Sequence, residues 1–173
     1  MKKILITLAA SAAVVSTFSA SAVDGIINFT GSVSNQTCTI EGNTGTTAKT
    51  VTMDQVAASS MAAVGQTAGR KDFTLELTAC TGSSALVRFE QGATVDAATG
   101  NLINQTAGGS NVQIQLLNAN MEPINLQTNS NSLSTAITDK EASVKFYAQY
   151  VAATAAATAG QVTSSVQFSM DYN

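Results

Sequence analysis

Asp24-Gly-Ile-Ile-Asn-Phe-Thr-Gly-Ser-Val33 is the stretch on which the fold turns. Taken two residues at a time, Gly25, Ile27, Phe29, Gly31 and Val33 fall on one face. Asp24, Asn28, Thr30 and Ser32 fall on the other, with Ile26 the single apolar exception. A period of two makes this an amphipathic β-strand. Its apolar face alternates glycine with large side chains, and glycine inside a strand fills no space and costs entropy. Such a face suits a strand that meets another backbone or a shallow pocket at close range. Two readings are open on this segment alone: a strand made for insertion into a groove on another molecule, or the ordinary first strand of a sandwich.

The residues ahead of it read as an export signal. Lys2 and Lys3 form a charged start, residues 4–13 an apolar centre, and Ala20-Ser21-Ala22 supplies the small residues of a cleavage site. The apolar run is too short and too rich in Ala and Ser for a membrane span, and no later run reaches about 18 apolar residues. Mature chain is expected from Val23 onward. Lys2 and Lys3 leave with the signal, so the eight basic residues fall to six against 11 acidic ones, and the net charge moves from −3 to −5. An acidic surface with scattered cations carries no footprint for nucleic acid; Arg70-Lys71 is the one adjacent basic pair, and it reads as a solvated loop.

Cys38 and Cys80 are the only cysteines. In an exported chain they read as one disulfide, since the compartment is oxidising. A redox or nucleophilic role lacks a partner base, because the chain contains no histidine. No carboxylates stand at metal-ligand spacing or beside a base, so neither an enzyme nor a cofactor is expected. Asp139-Lys-Glu141 reads as a solvated charge run, and Asn28-Phe-Thr30 with two similar triplets as chance matches to a glycosylation acceptor.

Further along, alternation predicts strands over residues 35–40, 49–56, 72–80, 85–90, 111–117 and 143–151, and a final one over 161–173. Within 72–80, Phe73, Leu75, Leu77 and Ala79 are placed on one face and Cys80 on the other. Residues 57–69 read as loop with one helical turn, residues 118–126 as a hairpin connection around Pro123, and residues 152–160 as a loop. In the last strand Val162, Val166, Phe168, Met170 and Tyr172 share a face, interrupted by Ser164. Seven or eight short strands with turn signals about every ten residues predict an all-β, immunoglobulin-like sandwich.

Both ends of the mature chain are therefore good strands, whereas domain ends ordinarily fray. With the signal peptide, Gly25 to Val33, the Cys38–Cys80 spacing, Val112-Gln-Ile-Gln-Leu-Leu117, Val144-Lys-Phe-Tyr-Ala-Gln-Tyr150, Gly160 fourteenth from the end and penultimate Tyr172, the whole chain resembles a chaperone–usher pilin, similar to the major subunit of type 1 fimbriae. The resemblance implies an incomplete sandwich that lacks its final strand, completed by a donor strand from a neighbouring subunit. It divides the chain into a signal peptide (1–22), a donor extension (23–34) and a pilin domain (35–173). Ile27, Phe29, Gly31 and Val33 become the donor residues; Gly160, Val166, Phe168, Met170 and Tyr172 become the acceptor groove, which also binds a periplasmic chaperone. The other implied partners are identical or related subunits and an outer-membrane usher, and the implied destination is a surface fimbria reached through the periplasm.

Two positions depart from the family's common pattern. Ala159-Gly160 stands where Pro-Gly is frequent, and Val166 where alanine is more frequent, which makes one groove pocket shallower. A two-domain adhesin would need a lectin-like domain ahead of the pilin domain, and the 151 residues after the signal leave no room for one. A structural, polymerising subunit is expected, with a one-domain adaptor or tip subunit as the alternative.

Overall fold

A computed structural model describes residues 27–30, 33, 37–43 and 47–173. The expected signal peptide and Gly31 lie outside the described residues. The chain divides into two units, residues 1–34 and residues 35–173.

In the larger unit, seven strands are described: β1 (Thr39–Ile40), β2 (Thr67–Thr78), β3 (Ser84–Phe89), β4 (Gln113–Leu117), β5 (Ser134–Ala136), β6 (Ala142–Val151) and β7 (Phe168–Tyr172). The only helical element among the described residues is a 3-10 turn, Ala58–Met61. Two antiparallel sheets form, in the orders β1-β2-β6-β4 and β5-β3-β7. The arrangement is an immunoglobulin-like sandwich.

The inward residues of both sheets make one core. Leu75 and Leu77 of β2, Leu116 of β4 and Val144, Phe146 and Ala148 of β6 meet Ala85, Val87 and Phe89 of β3. Phe146 is its hinge point: its ring stacks on Phe73 at 5.4 Å within its own sheet. Across the sandwich it meets the Phe89 ring edge-on at 5.6 Å, an arrangement that the ring quadrupoles favour. A smaller cluster of Met61, Val112 and Ala152 closes one end.

Several sequence expectations need correction. Residues 49–56 are not a strand: Val51, Met53 and Val56 are half-buried, but the segment joins no ladder. The strand expected over 35–40 shrinks to the two residues of β1. The last strand does not run from 161; only Phe168–Tyr172 pairs, with β3. Thr67–Gly69, expected in a loop, already belongs to β2, which carries a bulge between Ala68 and Lys71. Gly69 sits there at φ +65°, a conformation glycine adopts without steric cost. The alternation of residues 72–80 also breaks at its end. Ala79 takes φ +52° and points to solvent, so Cys80 turns inward and is buried.

That turn brings Cys80 to Cys38, and the two are joined by a disulfide spanning 42 residues. On the chain-entropy view, closing a loop of this length stabilises the fold by about 4 kcal/mol. Replacing both cysteines by serine should therefore lower the unfolding free energy by about 2–5 kcal/mol. A denaturant titration of the double variant beside the parent measures this; superimposable curves would show that the crosslink is dispensable.

Candidate functional site

The sandwich is open along β7. Among the described residues this strand ends its sheet, paired with β3 on one side and with no strand on the other. Its inward residues show the consequence. Val166, Phe168, Met170 and Tyr172 pack against the core yet remain half-exposed. Val87 on the neighbouring strand is 1% exposed. Among the described residues, no strand covers them.

The uncovered floor belongs to an open groove of about 850 Å³. Val166, Phe168, Met170 and Tyr172 form one wall, and Val51 and Met53 stand in the other. Between the walls lie Phe73, Leu75, Phe89 and Leu116, which are core side chains seen from above. A second cavity of about 600 Å³ continues it and shares Val51, Met53, Ile114 and Ser164. Gly160 and Val162 line this end. The buried Ser164 hydroxyl, at the junction, has no hydrogen-bond partner.

Backbone hydrogen bonding along the β7 wall follows parity. Asn173 exchanges both bonds with Ser84, and Glu90 N–H donates to the Gln167 carbonyl. Within the antiparallel register of β3 and β7, this makes the odd-numbered residues the bonded ones. Upstream, Thr163 and Gln161 continue the parity, since their carbonyls accept from Gln105 N–H and Ser110 N–H. The backbone groups of Val162, Ser164, Val166, Phe168, Met170 and Tyr172 therefore face the open edge. An unpaired row of N–H and C=O groups is a template for another strand.

The walls are anchored by polar contacts. Burial raises the Tyr172 phenol pKa, and the neighbouring Cys38 backbone and Thr37 side chain oppose the shift. Glu41 accepts from the Glu76 N–H and pairs with Lys49 at 2.9 Å, which ties the start of the 47–56 wall to β2. These contacts hold the Glu41 carboxyl below its ordinary pKa, the Glu76 bond contributing most.

The expected donor residues are equally plain. Ile27, Phe29 and Val33 are exposed by 80%, 91% and 103%, the highest values for large apolar side chains among the described residues. Gly31 lies outside the described residues. The expected acceptor residues Val166, Phe168, Met170 and Tyr172 line the groove and Gly160 the cavity that continues it; Val51 and Met53, on the facing wall, were not among the expected residues. Their alternation was visible; their lack of a ladder partner was not. Among the described residues there is no metal-ligating cluster, and no helix is long and apolar enough to cross a membrane.

Comparison with known proteins decides the family: a family model described as "Fimbrial protein" matches residues 27–173. This chain belongs to the fimbrial protein family. Among its relatives, the major fimbrial subunit of Stenotrophomonas maltophilia is 40% identical over 164 residues, covering 89% of this chain and 95% of that protein. The crystal structure of a type I fimbria protein and antigen from Burkholderia pseudomallei superposes with TM-score 0.58 at 32% identity, over 75% of this chain and 86% of that one. A P pilus rod subunit shares the fold, with TM-score 0.60 at 19% identity over 79% of this chain and 99% of that one. The fimbrial chain is thus a structural pilin, of a family of non-enzymatic subunits that are exported and assembled into cell-surface fimbriae.

Proposed function

We propose that this fimbrial subunit polymerises by donor-strand exchange. Residues 23–34 of one copy lie in the groove of the next, and Ile27, Phe29, Gly31 and Val33 face its floor. The acceptor residues are Gly160, Val166, Phe168, Met170 and Tyr172, with Val51 and Met53 opposite. One observation carries the reading: a row of unpaired backbone groups, on even-numbered residues, above a half-exposed apolar floor. Strand addition answers both halves of it. The backbone ladder gives affinity, and alternate side chains fill the floor and set the register. A slip of one residue would turn every apolar donor side chain outward.

Before assembly the same edge needs cover, since an exposed sheet edge beside apolar surface invites aggregation. A periplasmic chaperone that lends a strand meets this need, and an outer-membrane usher is where the exchange takes place. The residues ahead of the donor segment (1–22) act as the export signal, and residues 35–173 form the pilin domain.

Binding of a synthetic peptide of residues 24–33 to the folded chain tests the reading. Saturable binding that a Phe29→Ser peptide loses is expected; a peptide that leaves the chain untouched at millimolar concentration would refute it. The role is that of a main rod subunit rather than an adaptor, on the likeness to a major subunit across nearly the whole chain. Electron microscopy of cells making this subunit alone with chaperone and usher should show long fibres. An adaptor would leave the surface bare.

A further inference from the structure

The β7 wall is held in two different ways along its length. Residues 168–172 are held by β3, but no strand among the described residues lies beside residues 161–165. Side chains stand in for one. The Asn104 carboxamide Nδ2 donates to the Gln161 carbonyl at 2.8 Å, and its Oδ1 accepts from Thr163 N–H at 3.0 Å. A single side chain thus makes the donor and acceptor contacts that a ladder residue would make. Gln105 N–H adds a bond to the Thr163 carbonyl, and Ser110 N–H one to that of Gln161. Asn104 is itself locked, by Thr106 N–H and the Ser110 carbonyl. One turn away, Asn111 repeats the device, donating to the Ala156 carbonyl and accepting from Thr158 N–H.

The two backbones are in near contact here. A Cβ on Gly160 would lie 2.4 Å from Ser110 N, and one on Gly109 2.3 Å from the Gln161 carbonyl oxygen. Only glycine at both positions permits the approach that brings Asn104 within reach.

We propose that Asn104 is a positioning residue for strand addition: it acts as a surrogate ladder partner that presents the backbone of Val162 and Ser164 to the incoming strand. This inference rests on the donor-strand reading above. The chemistry is that of parity. By holding Gln161 and Thr163 on one side, the carboxamide leaves the groups of Val162 and Ser164 facing the groove, in line with those of Val166 to Tyr172. Without it this end of the wall is free to twist, and an arriving strand must order it as it binds.

Hydrogen exchange and peptide association on the full chain test this. With Asn104→Ala, the Thr163 amide should exchange about tenfold faster, the size expected for one lost hydrogen bond of about 1.4 kcal/mol. The Ser169 and Asp171 amides, bonded to β3, should exchange as before. Association of a peptide of residues 24–33 should slow by a similar factor. Asn104→Asp keeps the acceptor for Thr163 N–H but loses both donations, so it should protect Thr163 and still slow association; it decides the matter if the alanine variant does not fold. Association at the parental rate in whichever variant folds would overturn the inference. A peptide that fails to bind even the parent would instead overturn donor-strand exchange itself.

Discussion

Appending a second copy of residues 24–33 after Asn173, through a short flexible linker, should convert this subunit into a stable monomer. The strand then arrives at a roughly millimolar effective concentration, so it needs no neighbour to supply it. Its three large side chains, Ile27, Phe29 and Val33, are almost wholly exposed in the chain as it stands. Burying them should contribute roughly 4.5–9 kcal/mol, at about 1.5–3 kcal/mol for each, before the backbone ladder is counted. The gain appears as a higher midpoint in a guanidinium melt of protein purified without chaperone. Phe29→Ser in the appended copy should remove much of it, because one large side chain is lost and a hydroxyl enters an apolar floor. Equal midpoints for the chain, the extended chain and the serine variant would mean that the sandwich was complete from the start.

Gly31→Leu should have an effect as large, but on assembly rather than folding. Gly31 falls on the apolar face of the proposed donor segment, between Phe29 and Val33 in sequence. A glycine there lets the strand backbone lie close to the groove floor, and a leucine would hold it off by the width of a side chain. Overpacking of this kind costs about 1–3 kcal/mol in an adaptable core, and here it would also break the ladder on either side. The variant subunit should be exported and should fold to the same extent as the parent, since the change lies outside residues 35–173. Its fibres should be absent or reduced to short oligomers, as counted by electron microscopy and by gel-resistant ladders. Fibres of ordinary length would show that the glycine is not a constraint on insertion.

The parts of this structure that were legible from sequence are those where a period of two coincides with a ladder. Val144, Phe146 and Ala148 of β6, or Leu75 and Leu77 of β2, alternate in sequence and are buried in the fold. Residues 49–56 and 161–167 alternate as well, yet neither pairs. Alternation reports which side chains face inward; it does not report whether a neighbouring strand is present. These two misread segments border the groove, so the errors fall where the chain's own strands run out. Cys80 was misplaced because Ala79 adopts a positive φ, and alanine gives no signal of that. Asn104 and Asn111 were passed over for a different reason. Their work is done by side chain to backbone bonds between distant segments, which leave no periodic trace. No periodic trace is left either by the buried amides of Asn101, Gln113 and Gln149, whose side chain to side chain bonds link Asp96 to Arg70 through Gln115.

The central claim is that the edge of β7 is open until another strand closes it, and amide exchange reads this directly. The amides to follow are those of Val162, Ser164, Val166, Phe168, Met170 and Tyr172, in the chain alone and in the chain carrying the appended copy of residues 24–33. The account predicts fast exchange at all six in the chain alone, beside slow exchange at Ser169 and Asp171, and protection of the six once the strand is supplied. Protection already present in the chain alone, or none gained with the strand in place, would contradict it.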